Sequence, residues 1–386
     1  MSNDNQKNIP VQRVRLQFND AKALDSLSAV ERIGNHLFLG SDESLSLERL
    51  TLDNRGGYGA HLSFPVSNSI DLPVLEADKK DDKDKKKPEI DIEGLALDGN
   101  VLWLVGSHSL KREKAKAKTD DEQEKMDKLA TITPEPTRYV LARIPLVADQ
   151  KAGEVSLLAK PGNAADFADG PRASHLPYTA RGNALIDALA GDAHIGPFLP
   201  RVDLAEKGIK LSIPSKDNGL DIEGLAARDD RLFIGLRGPV VRGWAIVLEL
   251  EVNADSPELK LGEIGPKGQR YRKHFLRLDG LGVRDLCWRG DDLLILAGPT
   301  MDLDGPVRLY RWRGVTDLKK ESLTPREELD LLLDLPYGEG ADHAEGMTII
   351  GDDDAMPLLL VVYDSPGKVR KAGETAVYAD LFALPD

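Results

Sequence analysis

The sequence predicts an all-β chain, a β-propeller of four-stranded blades, on three observations. A short acidic motif recurs along the chain. A strand–turn–strand pattern follows each copy. One strand at the N-terminus is left over where the C-terminus lacks one. Closed β architectures run longer as single units than other folds, so 386 residues are compatible with one domain spanning 1–386.

The motif is Asp91-Ile92-Glu93-Gly94-Leu95-Ala96, repeated as Asp221-Ile222-Glu223-Gly224-Leu225-Ala226 and more loosely as His343-Ala344-Glu345-Gly346-Met347-Thr348. Looser still are Val283-Arg284-Asp285-Leu286-Cys287-Trp288 and Ala29-Val30-Glu31-Arg32-Ile33-Gly34. The anchor carboxylates Glu31, Glu93, Glu223, Asp285 and Glu345 are spaced 62, 130, 62 and 60 residues apart.

After each anchor comes a polar turn and then an apolar run of strand length, such as Val101-Leu102-Trp103-Leu104-Val105-Gly106 or Leu293-Leu294-Ile295-Leu296-Ala297-Gly298. Such runs between turn residues read as buried strands. Third strands are expected at 47–52, 138–146, 244–251, 307–312 and 377–384. Fourth strands are expected at 61–66, 209–214, 274–278 and 331–336. The last module has no fourth strand of its own, and the spare segment Val11-Gln12-Arg13-Val14-Arg15-Leu16-Gln17-Phe18 supplies one, closing the ring and protecting its edges.

Five blades follow from the five anchors, with six as the alternative if the 130-residue interval hides a degenerate copy. That interval holds insertions instead: a charged tract at 111–130 and a Gly- and Pro-rich, partly helical stretch at about 160–208, with the helix expected over 183–190. The tracts 78–88 and 111–130 mix lysines with acids and read as flexible solvated loops.

The repeated Asp-Ile-Glu-Gly-Leu-Ala motif at 91–96 and 221–226 resembles an uncharacterised bacterial family catalogued as a domain of unknown function. It is also similar, more distantly, to esterase-like phytase propellers, and Glu-Gly pairs on inner strands resemble those of calcium-dependent nucleotidase propellers. The resemblance implies a propeller with a phosphoester or calcium connection.

In a propeller the first strand of each blade lines the axis, so the anchors are expected to converge there. Asp91, Asp221 and His343, two residues before an anchor, share its strand face. Carboxylates so crowded need a bound cation, arginine partners or raised pKa values. The cation reading uses Glu31, Asp91, Glu93, Asp221, Glu223, Asp285 and Glu345 as oxygen ligands and favours calcium. The arginine reading uses residues such as Arg237 and Arg284. Ligand contacts are expected from His108, Arg237, Arg284 and His343, on the inner strands or the loops at that end of the axis.

The expected function is a ligand- or partner-binding scaffold taking a small anionic ligand or a protein, with calcium-assisted hydrolysis of phosphoesters as the alternative. A net charge of −14 argues against nucleic acid. No apolar run reaches membrane-spanning length and no secretory leader is apparent, so the cytoplasm is the expected compartment. The one cysteine, Cys287, excludes an internal disulfide and reads as a buried small hydrophobe.

Overall fold

The structure, a computed structural model, describes residues 9–72, 89–115, 121–148, 153–160, 172–199, 213–253, 258–351 and 357–385. Among them, five sheets follow one plan: four antiparallel strands in sequence order, the first innermost. The first sheet is Leu27–Ile33, His36–Ser41, Ser46–Leu52 and Tyr58–Pro65. The second is Ile92–Asp98, Val101–Gly106 and Leu141–Ala148, with Val155–Leu157 and Ser174–His175 outside. The third is Asp221–Arg228, Arg231–Val241, Trp244–Asn253 and Arg272–Leu276. The fourth is Gly282–Arg289, Asp292–Gly298, Val307–Trp312 and Leu329–Leu335. The fifth is His343–Ile350, Leu358–Asp364 and Ala376–Ala383, completed by Gln12–Gln17.

The N-terminal strand closes the ring as expected. It pairs antiparallel with 376–383 from Gln12↔Leu381 to Gln17↔Ala376, with Val14 and Leu16 buried. A single parallel pair, Leu16↔Tyr58, then joins the last sheet to the first.

The inner strands meet in a cycle, and the glycines of the motif explain how. A Cβ on Gly94 would lie 2.6 Å from Leu225 Cβ of the third sheet, and one on Gly224 would lie 3.0 Å from Leu286 Cγ of the fourth. One on Gly346 would lie 3.0 Å from Ala29 Cα of the first sheet, and one on Gly40 would lie 2.6 Å from Ile92 Cγ2 of the second. The remaining junction, fourth to fifth, is bridged by Asp285, whose Oδ2 accepts a 2.7 Å bond from the Met347 N–H. Sheets that touch this closely bury their second strands on both faces, which is why those strands read as unbroken apolar runs.

Several expectations change. The outer position of the second sheet is taken by 155–157 and 174–175; Ile213 and Pro214 are not in a strand, and 209–212 lie outside the described residues. The tract 111–130 is not all loop. Leu110–Arg112 pairs with Ile132–Pro134, and Glu122–Ala130 is a helix. Asp121 caps it by accepting a 2.7 Å bond from the Glu124 N–H, and Lys128 pairs with Glu124 at 2.7 Å. Local capping and an i,i+4 pair thus form a helix with no buried face. Residues 116–120 of this tract, and the tract 78–88, lie outside the described residues.

The helix expected over 183–190 is Ala184–Leu189, capped by Asn183 and packed through Leu185, Ile186 and Leu189 into the core of the second and third sheets. Residues 161–171 and 200–208 of the same insertion lie outside the described residues. No helix of the described residues is long and apolar enough to cross a membrane.

The close approach at the motif glycine generates a prediction. Gly94→Ala forces its new methyl into the backbone-bound Cβ of Leu225 and is expected to lower unfolding stability by about 1–3 kcal/mol. Gly191→Ala, where the Cβ meets nothing within 4 Å, serves as the neutral control; urea denaturation of both variants is the measurement.

Candidate functional site

Strand pairing sets which residues occupy equivalent places around the axis. Each first strand carries a bulge against its second strand. The extra residue is Ser28, Glu93, Glu223, Arg284 and Glu345 in the five sheets. Two of the expected anchors are therefore displaced. Asp285 sits one position later, where the other sheets have Ala29, Gly94, Gly224 and Gly346, and Glu31 sits three positions after Ser28. A β-bulge points two consecutive residues away from strict alternation, so aligning the motifs on their nearest acid slips the register.

Three glutamates and one arginine thus share this level, with further acids where the strands begin. Guanidiniums bind them together. Arg237 Nη2 lies 2.5 Å from Asp221 Oδ2 and its Nη1 2.7 Å from Glu223 Oε1. Arg284 Nη1 bridges Glu345 Oε1 at 2.7 Å and Glu223 Oε2 at 3.2 Å, while its Nη2 donates to the Pro299 carbonyl at 3.0 Å. Arg138 reaches Asp91 Oδ2 at 2.8 Å, Glu89 Oε1 at 2.6 Å and Glu135 Oε2 at 3.0 Å. Lys111 adds a second cation on Glu89 at 2.7 Å.

Burial and mutual repulsion act on these acids. Asp221 is pushed up to about 7, chiefly by burial, although Arg237 opposes the rise. Burial, reinforced by Asp91 and Asp364, lifts Asp42 to about 8. Glu93 rises well above the usual carboxylate range, first through burial and then through Asp91, Glu223 and Glu345. Glu345 rises through burial and Asp364, against the pull of Arg284. Burial works against the charge on Arg237 and Arg138, but their carboxylates outweigh it and both are held more firmly protonated.

Glu93 stands apart. It is 8% exposed and, among the described residues, has no hydrogen-bond or ion-pair partner. Asp42 Oδ1 is likewise buried without a partner.

The other expected site residues are placed differently. His343 is half-buried, 3.2 Å from Asp304 and 3.7 Å from Asp364, and the Asp364 carboxylate raises its pKa. His108 is 2% exposed, and burial lowers its pKa to about 4. Its Nδ1 lies 2.8 Å from the Gly106 carbonyl and its Nε2 2.8 Å from Asn183 Nδ2, so neither nitrogen is available for a ligand. Asp285 is held by the backbone N–H groups of Leu286 and Met347. Glu31 lies toward the opposite end of the axis, with long contacts to the Leu97 N–H at 3.4 Å and Thr348 Oγ1 at 3.5 Å.

The oxygens of Asp91, Asp221, Glu223 and Glu345 are directed at guanidiniums, and among the described residues no group of three or more His, Cys, Asp or Glu side chains can hold an ion.

Glu89 and Arg138 were missed from sequence. Glu89 precedes the first strand of the second sheet, which begins at Ile92, and Asp91 between them has a left-handed φ of 59°, so strand alternation did not mark it. Arg138 carried no local signal; it enters from the third strand's approach and meets Glu89 across 49 positions of sequence.

Two outcomes test this charge network. Arg237→Leu leaves Asp221 and Glu223 buried without their shared cation and is expected to cost about 3–5 kcal/mol in urea denaturation. Asp42, Asp221 and Glu31 have folded pKa values raised above their unfolded ones, so each favours the fold below about pH 4 and loses that contribution as pH rises toward 7–8. Asp42→Asn is expected to make the fall in urea midpoint shallower between about pH 4 and 8.

Comparison with solved structures finds overall likeness at low identity. The aldose sugar dehydrogenase of Streptomyces coelicolor, in its PQQ-bound form, is 10% identical with a TM-score of 0.34, covering 97% of this chain and 100% of that one. The Trypanosoma rangeli sialidase in complex with sialic acid is 8% identical with a TM-score of 0.33, covering 97% and 57%. The Bombyx mori β-fructofuranosidase BmSUC1 is 13% identical with a TM-score of 0.33, covering 95% and 61%. The chain thus spans about three fifths of the length of the last two. No curated protein matches it. Its membership is settled by sequence: residues 26–380 match the family described as "Protein of unknown function (DUF3616)", and the chain belongs to that family.

Proposed function

We propose that this propeller is a non-catalytic recognition scaffold whose acidic axial end receives a small organic cation of the guanidinium type. The observation that carries this reading is Glu93: a carboxyl more than nine-tenths buried, beside other acids, with no partner among the described residues. Buried polar groups in folded proteins almost always find a hydrogen bond, and an unpaired one marks a place where a ligand completes the set.

Charge balance supports a cation over the small anion expected from loop composition. Arg138, Arg237, Arg284 and Lys111 are already engaged by Glu89, Asp91, Asp221, Glu223 and Glu345. Glu93 and Asp42 remain over, and a cation that pairs with them offsets the burial and repulsion that hold both acids protonated, whereas an anion does not. The three arginines act as a rigid frame. Each is anchored at two or more acceptors, which fixes the carboxyls they hold without ordering cost when a ligand arrives.

Glu93→Gln is the direct test. Removing an uncompensated buried acid is expected to raise the thermal midpoint of the ligand-free protein by about 1–2 °C at neutral pH. The same variant is expected to lose the saturable binding of argininamide that calorimetry detects with the parent chain. A parent chain that binds no argininamide, or a variant that binds it equally well, removes the reading.

A further inference from the structure

The two ends of the axis are chemically different. Three positions beyond each bulge, toward the turns joining first and second strands, the equivalent residues are Glu31, Ala96, Ala226, Cys287 and Thr348. Three residues of extended chain place this level about 10 Å from the arginine-bridged glutamates. Two small alanines and one acid replace the crowded carboxylates.

A cavity of about 350 Å³ opens at this end. Its wall includes Glu31 and Arg32 of the first sheet, Cys287 and Trp288 of the fourth, and Thr348 and Ile349 of the fifth. That volume falls within the range of small-molecule sites, roughly 300–1,000 Å³. Trp288 is fixed by a 3.1 Å bond from its Nε1–H to the Ala227 carbonyl and by the Arg228 guanidinium, 4.0 Å from its ring centroid. Cys287, expected to be wholly buried, is instead partly exposed here.

Glu31 is the one acid on the wall; its contacts to the Leu97 N–H and the Thr348 hydroxyl are long, 3.4 and 3.5 Å, and the Arg32 backbone N–H also reaches it. Burial pushes it up to about 7. The charged or titratable groups around it are Arg32 on its own strand, which donates to the Gly34 and Gly351 carbonyls, and Asp285 and Cys287 on the fourth sheet. From the second and fifth sheets only the Leu97 N–H and the Thr348 hydroxyl reach it.

We propose that this cavity is a second ligand site, separate from the glutamate–arginine end, that takes a small primary amine carrying an apolar body. The ammonium seats on Glu31 beside the Thr348 hydroxyl, and the body lies against Trp288 and Ile349. An ammonium supplies short, charge-assisted hydrogen bonds and the full positive charge that these neutral contacts lack. The ion pair forms with the carboxylate and not with the neutral acid, so binding strengthens as pH rises through the titration of Glu31 and then levels off.

The experiment is calorimetric titration of benzylamine into the full chain at about pH 8 and about pH 5.5, with benzyl alcohol and benzoate as controls. Saturable benzylamine binding is expected at the higher pH, at least tenfold weaker binding at the lower pH, and none from the controls. Glu31→Gln is expected to weaken binding at least tenfold at the higher pH. Glu93→Gln, which alters the opposite end, is expected to leave it unchanged. If Glu31→Gln fails to fold, Cys287→Leu narrows the cavity instead and is expected to abolish binding. Absence of saturable binding, unchanged binding in Glu31→Gln or Cys287→Leu, or its loss in Glu93→Gln overturns the proposal. The last of these assigns the amine to the acidic end.

Discussion

Acids from separate sheets share one narrow space in this protein, and guanidiniums make that arrangement tenable. Arg237 holds Asp221 and Glu223 from a single second strand, and Arg284 ties Glu223 of the third sheet to Glu345 of the fifth. Arg138 gathers Glu89, Asp91 and Glu135 within the second. Without these cations the same ring of carboxyls would be forced to protonate or to separate, because like charges in a desolvated site repel with little screening. The arginines therefore support both the fold and the site. They permit the inner strands to converge, and among the described residues they leave Glu93 and Asp42 without a cation.

Convergence has a steric side as well. The glycine after each glutamate exists so that a neighbouring inner strand can lie against it, as Gly94 does with Leu225 and Gly346 with Ala29. Where that glycine is replaced, the replacement does something else: Asp285 occupies the same position and ties the fourth sheet to the fifth through the Met347 N–H. Glu and Gly in the motif are thus separate devices, one electrostatic and one concerned with packing. The sheets join into a ring only when both are satisfied.

The two axial ends follow from this division. At the end where first strands begin, bulges turn acids and Arg284 inward, and the second strands add Arg237, Asp42 and Asp364. At the other end the same strands offer alanine, cysteine, threonine and one long-bonded glutamate around an open cavity. A single repeated strand therefore carries a densely paired, polar level and a sparse, half-apolar one a few residues apart.

Much of the architecture was legible because it is written in local pattern. Apolar runs between turns marked the second strands, the recurrent acid–glycine pair marked the first, and the leftover N-terminal strand marked closure. The site was legible only in part. Glu93, Glu223 and Glu345 lie near one another together with Asp91, Asp221, Arg237 and Arg284, since the common motif places each glutamate at an equivalent bulge. Glu31 and Asp285 were misplaced, because a bulge shifts register by one residue and leaves no mark in composition. His108 looked available but is spent on Gly106 and Asn183. What the sequence determined alone was strand order, repeat and ring closure, all consequences of short-range hydrophobic periodicity. What the tertiary structure decided was which charges meet. Arg138 finds Glu89, Glu93 finds no cation among the described residues, and a cavity forms under Glu31, because those outcomes depend on distances between residues far apart in the chain.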